Sequence, residues 1–260
     1  MSAAVTVGVF GLFHPTELRV EPVRGRILEI EADGRREMLE GHGSVTIRSA
    51  ARVTARNGAE AAFILSVLGP NHRPKIRREF RGRLRVIEQD GQLVAIVEME
   101  RETAVASIVA AEAPGSPFEA QKAQAVVSRS FLIAAGRRHD TFEFCDTTHC
   151  QYLREPPPAG GAVRRAQEAT RGLALTYQGR TIPALYSANC GGHTRTAEEA
   201  GWRAMEYPFF GVECPVRGEV SGHGIGLCQQ GAAQMARQGK SFREILNHYF
   251  PATQIEAVAE

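Results

Sequence analysis

The sequence has no apolar run approaching the roughly 20 residues that a membrane-crossing helix needs. It has no excess of charge of either sign: the formal net charge is +2. No basic stripe interleaved with aromatics occurs, so nothing points to nucleic acid, and no polybasic membrane anchor is present. Internal repeats and low-complexity segments are absent. The cysteines are few, odd in number and confined to the C-terminal half: Cys145, Cys150, Cys190, Cys214 and Cys228. That is a poor disulfide framework. The opening residues MSAAVTVGVFGLFHP are apolar but lack a basic leading segment, so they read as a strand rather than a signal peptide.

What is present suffices for a sizeable core, with 43% hydrophobic residues in 260. That length suits one large domain or two modest ones. Residues 1–98 are β-rich. Apolar and polar residues alternate through Glu17–Pro22, Arg26–Glu31, Ser44–Arg48 and Leu84–Glu88. Asp33-Gly34, Asn57-Gly58 and Asp90-Gly91 are hairpin signals. The basic segment from Pro70 to Arg81, with Arg73, Lys75, Arg77, Arg78 and Arg81, reads as a solvated face. His14, His42 and His72 are isolated in loops.

From Arg101 the apolar period becomes helical, and Pro114 ends that helix near Glu112. Ser116 as N-cap with Glu119 three residues on predicts a capping box for a helix from about Pro117 to Ala135. A hairpin is expected around Gln178-Gly179, and helices over about 161–170, 229–238 and 241–249. The fold class is α+β: a β-rich region over 1–98, then a mixed α/β core over 99–260.

Four residues, His139, Cys145, His149 and Cys150, fall within twelve positions as H-x5-C-x3-H-C. Neutral imidazole and thiolate are the ligands that tetrahedral zinc prefers. Free thiols beside surface histidines, or a Cys145–Cys150 disulfide, are the alternatives, and Cys190 and His193 could replace His139. With four protein ligands such a site is closed, hence structural. Glu112, ending an Ala/Val-rich helix beside Pro and small residues, is a candidate general acid, since an apolar cleft would keep it protonated. Cys190 or Cys150 with His193 or His223 is a second catalytic possibility, a Cys–His hydrolase.

Four ordered motifs carry a resemblance. They are E-A-P-x-x-x-F-E-A-Q-K-A-Q-A-V-V-S-R-S-F over Glu112–Phe131, C-D-T-T-H-C-Q-Y over Cys145–Tyr152, Y-S-A-N-C-G-G-H-T over Tyr186–Thr194, and G-H-G-I-G-L-C-Q-Q-G-A over Gly222–Ala232. The stretch from Ala104 onward resembles the stage II sporulation protein D (SpoIID/LytB domain) family. The resemblance implies a lytic transglycosylase acting on the denuded glycan strands of peptidoglycan, outside the cytoplasmic membrane. It implies Glu112 as the catalytic acid, with Ala113 where the family has Met. It further implies a zinc on His139, Cys145, His149 and Cys150. Cys228 stands where Ser is more usual, and Gln230 where Tyr is. Tyr186, Asn189 and His223 are the expected glycan contacts. A peptide hydrolase of the wall or a non-catalytic wall-binding module is the competing expectation. Glu112 is expected to carry the chemistry, and the cysteine–histidine loop to act as a staple at the cleft wall.

Overall fold

The computed structural model describes residues 3–203 and 205–258. It is α+β, and its contacts divide it into two units: Met1–Ser107 with Arg137–Pro156, and Ile108–Gly136 with Pro157–Glu260. The loop bearing His139, Cys145, His149 and Cys150 therefore groups with the N-terminal strands.

The N-terminal unit is built from β1 (Ala4–Val9), β2 (Leu18–Pro22), β3 (Ile27–Ala32), β4 (Arg35–Glu40), β5 (Val45–Ile47), β6 (Ala51–Thr54), β7 (Ala61–Leu68), β8 (Pro74–Gln89) and β9 (Gln92–Glu100). Asp33-Gly34 and Asp90-Gly91 do form two-residue hairpins, β3–β4 and β8–β9, with positive φ at all four residues. Asn57-Gly58 does not. It lies in a 3-10 turn (Arg56–Gly58) between β6, which pairs with β3 and β8, and β7, which pairs with β2 and β8. The long strand β8 changes partner at Gly82: residues 74–82 pair with β7, and residues 83–89 with β9. Gly82 has φ +144, and a Cβ there would lie 2.2 Å from the Glu98 carbonyl oxygen, so only glycine allows the crossing.

The alternation seen in sequence is borne out where one face is buried. Leu18 and Val20 of β2, and Leu28 and Ile30 of β3, point into the core with Phe63, Phe80, Leu84 and Val86. The basic segment departs from its expectation at Arg78. Lys75, Arg77 and Arg81 are exposed, but Arg78 is buried, donating to Asp146 at 3.0 Å with its guanidinium over the Phe10 ring. The reason is the strand period: Arg78 shares its face with Phe80, and a charge directed inward needs a partner.

That partner anchors the loop of residues 137–156. Its strand β10 (Phe144–Cys145) pairs in parallel with β1, Val7 against Phe144 and Gly8 against Cys145. The Glu143 carboxylate accepts from the Thr6 N–H at 2.7 Å and the Thr6 hydroxyl at 2.9 Å. Asp146 accepts from the Phe10 N–H at 3.2 Å as well as from Arg78.

Helix α1 (Arg101–Glu112) ends at Glu112, as its pattern predicts. The boundary between the units falls within it. The C-terminal unit centres on α2 (Phe118–Ala134), where every residue from Ala123 to Leu132 is buried. Around it are α3 (Ala162–Glu168), the antiparallel β11 (Leu173–Tyr177) and β12 (Arg180–Thr181), the two-residue β13 (Tyr186–Ser187) and β14 (Leu227–Cys228), α4 (Gln229–Arg237), α5 (Phe242–Tyr249) and β15 (Gln254–Ala257). Burial on all sides obliges the polar groups of α2 to find partners. Ser130 Oγ accepts from the Leu175 N–H at 2.8 Å, and fully buried Arg129 donates to the Leu173 carbonyl at 3.0 Å.

The expected capping box at Ser116 is not formed. Pro117 is the N-cap and makes no side-chain cap bond. Glu119 is used elsewhere, accepting the Phe242 N–H of α5 at 2.7 Å and pairing with Lys122. A true capping box, Ser241 with Glu244, starts α5.

Removing the Arg78 cation leaves the Asp146 carboxylate buried without its counterion. Arg78→Met is expected to destabilise the protein by about 3 kcal/mol or more, read as a lower denaturant midpoint. An unchanged midpoint would show that the pair contributes nothing.

Candidate functional site

Glu112 reaches its position because α1 stops there. Pro114 cannot continue the helix, and the carboxylate is left at its C-terminal end, half-buried. Two neutral groups from the C-terminal unit hold it. The Tyr186 hydroxyl on β13 donates to Oε1 at 3.0 Å. The Gln229 amide, on the first residue of α4, lies 3.4 Å from both Oε2 and the Glu112 carbonyl oxygen. The same amide is 3.3 Å from Gln124 Oε1 on α2, so the helices fix its orientation. Burial, and then the neighbouring Glu112 charge, push the Tyr186 hydroxyl well above its ordinary pKa. Tyr186 is thus a permanent donor.

Glu112 opens onto a cavity of 480 Å³ lined also by Ser116, Ala188, Val216, Gln229, Gln230, Ala233 and Arg237. Among the described residues that line it, Glu112 is the one carboxylate and Arg237 the one cation. The arrangement can donate a proton from Glu112, or accept one, within a walled space.

The expected glycan contacts separate. Tyr186 is brought onto Glu112. Asn189 is buried on the loop after β13. Its amide donates to Gln230 Oε1 at 3.1 Å, and its Oδ1 accepts the Gly191 N–H at 2.9 Å. It braces the wall rather than lining the cavity. His223 lies off the cavity lining, with its ring 5.1 Å from the exposed Trp202 ring. Its Nδ1 accepts the Ile225 N–H at 3.0 Å, and burial pushes its pKa below the usual value. Gln229 and Gln124 were not singled out from sequence. An amide beside a carboxylate carries no spacing signal, although both lie inside the quoted motifs.

In the N-terminal unit, His139, Cys145, His149 and Cys150 converge. Their four candidate ligand atoms lie within 4.8 Å of one another. His139 Nε2 is 3.4 Å from Cys150 Sγ, and His149 Nδ1 is 3.5 Å from Cys150 Sγ and 3.8 Å from Cys145 Sγ. His139 is therefore the fourth member of this cluster. All five cysteines are free, so the Cys145–Cys150 disulfide is not formed. The Cys150 thiol hydrogen-bonds Cys145, which lowers the Cys145 pKa and raises that of Cys150. Two cysteine sulfurs beside two imidazoles are a donor set able to hold a metal ion. A 580 Å³ cavity lined by His14, Gln92 and Phe142 among others adjoins His139, Cys145 and His149.

Among the described residues, no helix is long and apolar enough to cross a membrane. An uncharacterized protein of Brachyspira hyodysenteriae is 31% identical over 146 residues. The alignment covers 55% of this chain and 37% of that protein, so the chain spans well under half of its relative. The family model described as SpoIID, stage II sporulation protein, matches residues 89–177, a stretch that contains Glu112, the whole of α2 and the cysteine–histidine loop. The match supports a function connected with sporulation or the cell wall, and this stretch of the chain is similar to the SpoIID family.

Proposed function

We propose that the protein is a lytic transglycosylase that cleaves the bond between N-acetylmuramic acid and N-acetylglucosamine in denuded peptidoglycan strands, at the cell envelope. The observation that carries this reading is the solitary carboxylate. Hydrolytic glycosidases commonly use two carboxyl groups about 5–9.5 Å apart. Among the described residues lining the Glu112 cavity there is no second one. A reaction whose nucleophile is the sugar's own C6 hydroxyl can manage with one group acting as acid and then as base.

In that reaction protonated Glu112 gives its proton to the glycosidic oxygen as the bond to C1 breaks. The carboxylate then takes the proton from the C6 hydroxyl as that oxygen bonds to C1. The atoms balance with no water consumed, and the new end is a 1,6-anhydro sugar. Tyr186 donates to one carboxylate oxygen throughout, and Gln229 steadies the other; this keeps the group aimed. Tyr186 thus acts on the glycan through Glu112, Asn189 shapes the cavity wall, and His223 beside Trp202 offers a ring face to a sugar. The glycan-cleaving core is assigned to 99–260.

The cysteine–histidine cluster is proposed as a structural zinc site. Zinc–sulfur bonds of about 2.3 Å and zinc–nitrogen bonds of about 2.0 Å at a tetrahedral angle place N and S about 3.5 Å apart. The N···S separations of 3.4, 3.5 and 3.8 Å fit. When bound, the ion would supply cross-linking of the 137–156 loop and neutralisation of its thiolates. No step of the reaction passes through it.

Glu112→Gln should keep the fold and lower the release of 1,6-anhydro-muropeptides by about 10³-fold, measured by mass spectrometry of digested peptidoglycan. Undiminished release would end the assignment. Cleaved wall peptides sensitive to thiol alkylation would favour a Cys–His hydrolase, and binding without product a wall-binding module. Stripping the metal should lower the melting temperature by several degrees, while the fraction still folded retains its rate. Loss of rate in fully folded, metal-free protein would contradict a purely structural role.

A further inference from the structure

The C-terminal unit contains a second group of sulfurs. Cys190 follows β13, Cys214 lies in the irregular segment before Pro215, and Cys228 is the N-cap of α4. All three are buried, and their Sγ atoms lie within 4.8 Å of one another. Three ligands about 2.3 Å from one ion in a plane stand about 4 Å apart, so little movement is needed to close them on a cation.

A lone buried cysteine is a small hydrophobe and needs no polar neighbours. These three have polar neighbours. The Cys228 sulfur accepts the Gly231 N–H at 3.4 Å and lies 3.9 Å from the Ala188 carbonyl oxygen. The Tyr249 hydroxyl stands 3.2 Å from Cys214 Sγ. An N–H group and a hydroxyl directed at the sulfurs supply outer hydrogen bonding of the kind that steadies metal-bound thiolates.

The backbone gives way to make this space. A Cβ on Gly231 would lie 2.0 Å from the Tyr249 hydroxyl oxygen and 2.5 Å from Cys214 Sγ. Glycine at that position of α4 is what lets Tyr249 and the sulfurs meet.

We infer that Cys190, Cys214 and Cys228 form a second metal site, taking a soft, thiophilic cation of the monovalent copper type. Three sulfurs without imidazole or carboxylate select for softness. The cluster offers no fourth His, Cys, Asp or Glu among the described residues, whereas structural zinc takes four ligands. This site is independent of the glycan chemistry and distinct from the cysteine–histidine cluster.

The test uses the whole chain, reduced and kept from oxygen, titrated with Cu(I) against a chromogenic Cu(I) chelator. Cys145→Ser with Cys150→Ser removes the other cluster. That variant should still bind one equivalent, with a near-ultraviolet thiolate-to-copper band. Adding Cys190→Ser or Cys228→Ala should abolish both the equivalent and the band. Cys214→Ser in the otherwise wild-type chain is the second measurement: with an unchanged circular-dichroism spectrum showing that it is folded, it should bind one equivalent less copper than the wild type. No binding by folded protein overturns the site, as does an equivalent that survives loss of any of the three cysteines.

Discussion

The hydrogen bond from Tyr186 to Glu112, 3.0 Å long, links the two-residue strand β13 to the end of α1, and the cavity is arranged around it. Tyr186 is held by its pairing with Leu227, and the next pair sets Ser187 against Cys228, the N-cap of α4. Gln229 follows directly and adds its amide to the other carboxylate oxygen. One short parallel ladder therefore positions both the Tyr186 and the Gln229 donors to the carboxylate.

The cysteine–histidine loop obeys a different constraint. It has little regular structure of its own and takes its shape from β1, through Glu143 on Thr6 and through Asp146 on Phe10 and Arg78. These contacts bring the four side chains together, an arrangement that would lower the ordering cost of holding an ion. The loop and Glu112 fall in different units.

Much of this was legible in the chain. The end of α1 followed from Pro114, and the hairpins at 33–34 and 90–91 from Asp-Gly, because each rests on local backbone chemistry. The grouping of His139, Cys145, His149 and Cys150 was legible because its members are close in sequence. What escaped depends on distant partners. Ser116 and Glu119 have the spacing of a capping box, yet Glu119 serves the first turn of α5, 123 residues away. Arg78 sits in a basic run but shares the inward face of β8 with Phe80, and its carboxylate lies on another segment. Cys190, Cys214 and Cys228 look like unrelated buried thiols until the fold joins them. Gln229 gains its role only through the fold, since an amide is common everywhere.

One carboxylate and an internal hydroxyl, without water, are proposed to break the glycan. Digestion of purified, peptide-free glycan strands in ¹⁸O-labelled water tests this directly. The expected products end in 1,6-anhydro-N-acetylmuramic acid and carry no label. Reducing ends bearing ¹⁸O would show that water is the nucleophile and would contradict it.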